Sequence, residues 1–336
     1  MRFLKTLSVA STTFFASINF ASADISVVTS IKPVHSLVSG VMEGIGTPSL
    51  IIDGGGSPHT YSLKPSQAKK LQNADIVFWI SPKLETFLEK PIESIATKAL
   101  VSQLLETDGL SKLDFREGGS FDAHDHDKHD DHDDHDDHDK HDDHDKHDDH
   151  DDHDDHDDHD DHDDETNPHV WLDPLNAAIM VTQIANTLSD VDPANKSKYE
   201  ANADVMLEKL DRLVNEVTKE LTPVQGRGYV VFHDAYQYFE KRFNVTAIGS
   251  ITVSPEILPG ADRISELQKK VASLGASCVF SEPQFEPKLV STIVENTNAR
   301  TGVLDPLGTS IENGSELYFQ LIKNMSASLK ACLASD

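Results

Sequence analysis

The chain has 336 residues and a formal net charge of −29, with 58 Asp and Glu residues against 29 Lys and Arg residues. This composition offers no basic patch that would replace the counterions of a nucleic acid, so we expect no nucleic-acid partner. The length is sufficient for two domains of ordinary size.

The amino terminus has the pattern of a cleaved secretory signal. Arg2 and Lys5 precede an apolar run over residues 7–20, and the small residues at 21–23 suit a signal peptidase. The run is shorter than the roughly 20 apolar residues of a membrane-spanning helix and contains Ser, Thr and Asn, which argues against a membrane anchor. We therefore expect residues 1–23 to be a signal peptide and the mature protein to act outside the cytoplasm.

Apolar strand-like runs alternate with helical patterns along both halves of the chain. The predicted strands lie at 25–29, 50–52, 75–80, 229–232, 245–248, 277–280 and 302–304. The predicted helices lie at 65–72, 84–90, 175–188 and 263–274. This alternation predicts an α/β fold with two lobes, each a mainly parallel sheet flanked by helices.

Between the halves, residues 196–221 form one long helical pattern that is bounded by Pro193 and Pro223. Its apolar side chains repeat at helical spacing: Met206, Leu210, Leu213, Val217 and Leu221. A helix of this length spans about 39 Å, which suits a strut between two lobes. We expect an N-terminal lobe over 24–195 and a C-terminal lobe over 222–336.

A charged insertion interrupts the first lobe at 122–166. Its core, residues 124–164, contains 24 Asp, 14 His and 3 Lys, so it carries −21 of the net charge and leaves −8 for the remaining chain. With nothing apolar to bury, we expect a disordered loop whose imidazoles and carboxylates collect divalent metal ions loosely. The alternative is a solvated acidic spacer. The candidate low-affinity ligands are His124, His126, His129, His132, His135, His138, His141, His144, His147, His150, His153, His156, His159 and His162.

Two cysteines, Cys278 and Cys332, are the only ones in the chain. An even pair in an exported protein favours a disulfide over two free thiols. Such a bridge would tie the last helix to a core strand and stabilise the fold by about 4 kcal/mol in the chain-entropy model.

Outside the insertion the chain has four histidines: His35, His59, His169 and His233. His59 follows the predicted strand 50–52, and His233 closes the strand 229–232. In open α/β sheets ligands bind beyond the carboxyl ends of the strands, so both are placed to line a site. His35 begins a predicted helix and is interpreted as structural.

Further candidates complete a metal site. His169 lies in a turn-rich segment after the insertion, and Asp305 directly follows the strand 302–304. Three imidazoles with a carboxylate or a water form the ligand set that Zn²⁺ accepts. Asp305 is the favoured fourth ligand, although an Asp before a Pro also starts turns. Glu282 is either a ligand or a hydrogen-bond acceptor for an imidazole.

Five segments, in this order, resemble the ZnuA-type metal-binding solute receptors of bacterial ABC importers. They are HTYSLKPS at 59–66, NPHVWLDP at 167–174, HDAY at 233–236, SEPQ at 281–284 and LDPLG at 304–308. The resemblance implies that His59, His169 and His233 bind zinc between two lobes joined by a rigid helix. It also implies a monomeric periplasmic receptor, not an enzyme, that delivers Zn²⁺ to an inner-membrane permease with a cytoplasmic ATPase.

Two positions refine the resemblance. Manganese receptors of this group usually have a carboxylate at the third ligand position, so His233 favours zinc. Some zinc receptors have a Glu just before the first ligand, where this chain has Pro58. The fourth position therefore falls to Asp305 or to water.

Two other functions remain open at the level of sequence. A secreted zinc hydrolase would also use three histidines and an open position, but the chain has no His-Glu-x-x-His motif. A periplasmic zinc buffer or chaperone would act mainly through the insertion. Since only neutral imidazoles bind metal, we expect capture to weaken as the pH falls through about 6.5.

Overall fold

The structure is a computed structural model that describes residues 25–116, 166–252, 260–273, 276–285, 288–295 and 297–334. The expected signal peptide over 1–23 and the fourteen histidines of the insertion lie outside these residues.

The first sheet consists, in the described residues, of parallel strands β1 (Val27–Thr29), β2 (Ser49–Leu50), β3 (Ile76–Trp79) and β4 (Leu100–Gln103). Their order across the sheet is β2-β1-β3-β4. Every residue of β1 and β3 is buried, which is why these strands read as continuous apolar runs rather than as alternating ones.

Helices α1 to α4 accompany this sheet, and proline starts several of them. The helices are α1 (Lys32–Val41), α2 (Pro65–Gln72), α3 (Thr86–Ile95) and α4 (Pro174–Val191). Proline suits the first turn because its missing N–H has no partner there. At the start of α4 the Asp173 side chain also accepts a hydrogen bond from Leu175 N at 2.9 Å, which caps the helix.

The predicted long helix is present as α5 (Lys196–Leu221). Its buried face consists of Tyr199, Ala203, Met206, Leu210, Leu213, Val217 and Leu221. These residues recur every three or four positions, so they form a single stripe. The stripe packs against α4, against α1 and against the last helix, α9 (Leu317–Leu333). Helix α5 therefore contacts elements that precede it and follow it in the chain.

The second sheet contains, among the described residues, parallel strands β5 (Tyr229–His233), β6 (Ala247–Thr252), β7 (Cys278–Ser281) and β8 (Arg300–Val303) in the order β6-β5-β7-β8. Helices α6 (Gln237–Phe243), α7 (Ala261–Ser273) and α8 (Lys288–Val294) connect them. The two parallel sheets joined by α5 confirm the predicted fold class.

A shared hydrophobic core joins the lobes into one body, and a disulfide crosslinks the second lobe. One hydrophobic core runs without a break through residues of both halves, whereas a smaller core lies within the second lobe. The predicted disulfide is formed between Cys278 in β7 and Cys332 in α9. Within the part of the chain that the structure describes, every helix is too short or too polar to span a lipid bilayer.

Candidate metal centre

Three histidine side chains from separate parts of the chain meet in one place. His59 lies in the turn after β2, His169 precedes the short 3₁₀ turn Val170–Leu172, and His233 is the last residue of β5. One ring nitrogen from each lies within 4.8 Å of those of the other two, and no other cluster of this kind is found among the described residues. The structure thus brings together the three histidines that the sequence singled out.

The spacing of the ring nitrogens matches a tetrahedral metal site. Nε2 of His169 lies 3.2 Å from Nε2 of His59 and 3.4 Å from Nε2 of His233. Zinc binds histidine nitrogen at about 2.0–2.1 Å, so two ligand nitrogens of a tetrahedron lie about 3.3–3.4 Å apart. These two separations are therefore close to those that one zinc ion requires.

Asn167 fixes the orientation of the His169 ring. Its Oδ1 accepts hydrogen bonds from His169 Nδ1 at 2.8 Å and from His169 N at 3.1 Å. Its Nδ2 donates to Asp234 O at 3.3 Å and to Gln237 Oε1 at 3.1 Å, which sets the direction of the amide. Because Nδ1 of His169 carries the proton, Nε2 presents a lone pair to the cluster.

Glu282 holds His233 in the same manner. Its Oε1 accepts a hydrogen bond from His233 Nδ1 at 2.7 Å, and the carboxylate is buried. Its second oxygen, Oε2, has no hydrogen-bond partner among the described residues. Glu282 therefore contacts the far nitrogen of the ring and leaves Nε2 of His233 directed at the other two imidazoles. Of the two roles left open by the sequence, this position is that of an acceptor for an imidazole.

Burial favours the neutral form of these rings. Desolvation, with the neighbouring His233 adding to it, lowers the pKa of His59 from 6.5 to about 3. Desolvation, with His233 and His59 adding to it, also lowers the pKa of His169 well below its ordinary value. Neutral imidazoles with lone pairs facing one another gain nothing from mutual contact, whereas a cation between them would be attracted by all three.

Asp305 lies apart from this cluster. Its oxygens do not join the three nitrogens that lie within 4.8 Å of one another. Oδ1 accepts hydrogen bonds from Leu307 N at 3.1 Å and Gly308 N at 3.0 Å, and Oδ2 accepts one from Thr309 N at 2.6 Å. The carboxylate is thereby used to close a turn in which Gly308 has a φ of 67°.

Two contacts around the cluster were not foreseen. Asn167 belongs to the quoted segment NPHVWLDP, but only the fold shows that its amide holds His169. Trp171 is fully buried, its ring lies 5.3 Å from that of His169, and its Nε1 donates to Pro306 O at 2.9 Å. Both residues form hydrogen bonds that hold the segment after the insertion against the second lobe.

Comparison with known proteins identifies the family. The model of the family ZnuA, described as "Zinc-uptake complex component A periplasmic", matches residues 27–332. The chain belongs to this family. Its resemblance to ZnuA-type receptors, read from five short segments, is thereby confirmed.

Similar proteins of known name support this membership. The "High-affinity zinc uptake system protein ZnuA" of Brucella suis biovar 1 (strain 1330) is 58% identical to this ZnuA-family chain over 308 residues, which cover 92% of this chain and 91% of that protein. The protein of the same name from Yersinia pestis is 34% identical over 340 residues, covering 99% and 98% of the two chains. A crystal structure of a ZnuA deletion mutant with zinc bound has a TM-score of 0.71 at 22% identity, covering 94% of this chain and 100% of that one. That last likeness shows a shared fold.

Proposed function

We propose that this chain is the solute-binding protein of a high-affinity zinc importer, which captures Zn²⁺ and delivers it to an ABC permease. The observation that carries the proposal is the meeting of three ring nitrogens within 4.8 Å of one another. Membership of the ZnuA family and relatives named for zinc uptake support zinc as the transported ion.

In this proposal His59, His169 and His233 bind the ion through Nε2, and a water occupies the fourth position. Asp305 serves the turn at 305–309, and Glu282 orients His233 from outside the coordination sphere. A carboxylate at this distance also offsets part of the charge that the ion brings into a buried site. Zinc bound in this way is cargo, so the site has to release it as well as hold it.

The proposed architecture divides the chain into a signal peptide over 1–23, an N-terminal lobe over 24–195, a linker helix over 196–221 and a C-terminal lobe over 222–336. His59 and His169 then belong to the first lobe and His233 to the second, so the ion cross-links the lobes. We propose that the mature protein is a monomer in the periplasm and that its partners are an inner-membrane permease and its cytoplasmic ATPase. The insertion at 122–166 would add loosely bound zinc through its histidines.

A zinc hydrolase is the less well supported alternative. Such an enzyme needs a general base beside the open position of the metal. Among the described residues no carboxylate joins the nitrogen cluster, and Glu282 is engaged with the far nitrogen of His233. We therefore propose that the protein is not an enzyme.

The test is a zinc titration in competition with a chromophoric chelator. His59→Ala, His169→Ala and His233→Ala are each expected to abolish tight binding. His35→Ala is the matched control, because His35 is also buried but contacts Pro48 O at 3.2 Å instead of another imidazole. A variant lacking residues 124–164 is expected to keep one tight zinc ion and to lose only weak ones.

Three results would contradict this function. If the three variants bind zinc as tightly as His35→Ala, the cluster is not the functional site. If deletion of residues 124–164 removes all tight binding, the protein is a zinc buffer that acts through the insertion. Zinc-dependent turnover of ester, peptide or phosphate substrates would support the hydrolase instead.

A further inference from the structure

The chain segments on either side of residues 117–165 lie against each other. Asp114 and Thr166 form an antiparallel bridge, and Asn167 N donates a hydrogen bond to Leu113 O at 2.8 Å. We call residues 113–116 together with 166–167 the neck. The neck belongs to the first lobe, and its last residue is two positions from His169.

The neck is fastened to helix α6 of the second lobe. The Tyr238 hydroxyl accepts a hydrogen bond from Leu113 N at 3.0 Å and donates one to Asn167 O at 2.7 Å. Asn167 Nδ2 in turn donates to Asp234 O and to Gln237 Oε1. Both strands of the neck are thus held by groups that surround the carboxyl end of β5.

Arg116 adds ion pairs to these connections, and we call these ion pairs the Arg116 bridge. Its guanidinium lies between Asp234 and Glu240, with Nε 3.0 Å from each Asp234 oxygen and Nη1 2.9 Å from Glu240 Oε2. Asp234 and Glu240 are 3% and 5% exposed, so the ion pairs are shielded from water. A planar guanidinium that binds two carboxylates at once allows little change in the angle between the neck, which carries the guanidinium, and the segment from the end of β5 to α6, which carries both carboxylates.

The Arg116 bridge joins Asp234, which is next to His233 in the chain, to the neck, which contains the residue that contacts His169, Asn167. Asp234 directly follows His233 in the chain. On the other side, the neck continues from Arg116 through the pairing of Leu113 with Asn167, whose amide holds Nδ1 of His169. The contacts between the neck and the second lobe therefore join the same two lobes as the contact between His169 and His233.

We propose that Arg116 is a positioning residue that holds His169 and His233 at coordination distance before zinc arrives. The proposal rests on the proposed function, because it assigns the zinc affinity of that site partly to this bridge. A site that is already assembled loses less conformational freedom when it binds, so its complex is tighter. Asn167, which contacts His169 directly, is a partner of the kind that tunes metal affinity, and the Arg116 bridge holds the neck to which Asn167 belongs.

Other contacts between the lobes should keep a variant of Arg116 folded. Helix α6 is also tied to the first lobe by Arg242, whose Nε and Nη2 donate to the two oxygens of Asp173 at 2.7 Å. The continuous hydrophobic core and helix α5 hold the lobes together as well. Loss of the Arg116 bridge is thus expected to loosen the two rings relative to each other without separating the lobes.

The experiment compares Arg116→Gln with the full-length wild-type protein, using zinc alone as the ligand. The dissociation constant is measured by competition with a chromophoric chelator, and the off-rate by stopped flow with excess chelator. Arg116→Gln is expected to raise the dissociation constant by about threefold to tenfold, below the effect of removing a direct partner of a ligand, mainly through a faster off-rate. Arg116→Lys, which keeps the charge but not the planar fork, is expected to restore part of the affinity.

Controls separate positioning from general stability. Arg227→Gln removes another partly buried arginine, whose Nη1 donates to Leu333 O at 2.5 Å; Arg227 lies just before the start of β5, at the opposite end of that strand from His233. It is expected to lower the melting temperature and to leave the zinc dissociation constant unchanged. In a double-mutant cycle, Arg116→Gln is expected to cost less affinity in an Asp234→Asn background than in the wild type, because its partner is already changed.

The outcomes distinguish this proposal from the proposed function. An Arg116→Gln protein with wild-type affinity and off-rate, beside His169→Ala and His233→Ala proteins without tight binding, overturns the positioning role alone. Wild-type affinity in all three variants overturns the proposed function. If Arg116→Gln does not fold, Arg116→Lys and Tyr238→Phe carry the test, and unchanged zinc affinity in both overturns the proposal.

Discussion

Replacing Glu282 by Gln is expected to weaken zinc binding without weakening the fold. Glu282 Oε1 lies 2.7 Å from Nδ1 of His233, and the carboxylate is 3% exposed. In the ionised form it makes the imidazole a better donor to a metal and offsets part of the ion's charge. Gln at this position keeps a carbonyl acceptor of similar shape but has no charge.

The size of the effect follows from the type of contact. Removing a hydrogen-bond partner of a metal-bound imidazole usually lowers metal affinity by about 10- to 100-fold, which corresponds to about 1.4–2.7 kcal/mol. Charge-assisted hydrogen bonds are about twice as strong as neutral ones. We therefore expect a loss of about tenfold for Glu282→Gln and about 100-fold for Glu282→Ala.

The stability of the metal-free protein is expected to change in the other direction. Glu282 Oε2 is buried and has no hydrogen-bond partner among the described residues, so the ionised carboxylate is costly to keep in the fold. A neutral amide of the same size lowers that cost, because burying an unpaired amide costs less than burying an unpaired charge. The melting temperature of metal-free Glu282→Gln should accordingly equal or exceed that of the wild type.

Zinc affinity is measured by chelator competition and the melting temperature by circular dichroism on metal-free protein. Glu89→Gln in α3 is a suitable control, since Glu89 is exposed and should affect neither quantity. An unchanged zinc affinity in Glu282→Ala would refute the role given to this carboxylate. A parallel loss of affinity and stability in Glu282→Gln would show that its role is structural.

Three further predictions follow from the structure. Asp305→Asn keeps an acceptor for the turn, so it should lower zinc affinity by less than about tenfold in the chelator titration. A larger loss would identify Asp305 as a ligand. Replacing Cys278 and Cys332 together by Ser, which opens a loop with a sequence separation of 54, should lower the free energy of unfolding in urea by about 4 kcal/mol at unchanged zinc affinity. Because the pKa of His59 is lowered to about 3 and that of His169 also falls below 6.5, the unfolded chain takes up protons below pH 6.5 that the folded chain does not. The metal-free protein should therefore be most stable above pH 6.5 and lose up to about 1.4 kcal/mol per pH unit for each group towards pH 3, and His59→Gln should flatten this decline in urea titrations.

Local patterns predicted those elements whose ends are marked in the sequence itself. Pro65 marks the start of α2, and the regular apolar stripe marks the long helix α5. Both helices have the predicted bounds. Strand β4 was missed because it lies at the edge of the sheet, where Leu100 and Val101 are 48% and 37% exposed. An exposed edge strand lacks the two-sided burial that produces a continuous apolar run.

The meeting of the three imidazoles was predictable from the sequence, whereas most of the groups that surround them were not. His59 follows a strand and His233 ends one, positions that local patterning reveals, and His169 stands in a turn-rich segment just after the insertion. The favoured fourth ligand, Asp305, lies outside the cluster because its Asp-Pro-Leu-Gly context forms a turn that uses both carboxylate oxygens. Arg116 gave no local signal, since its partner Asp234 lies 118 positions away in the chain.

Anomalous diffraction at the zinc edge from crystals of the zinc-loaded protein tests the central claim most directly. We expect one strong peak about 2.0–2.1 Å from Nε2 of His59, His169 and His233. A strongest peak elsewhere in the protein, with these three rings free of metal, would contradict it.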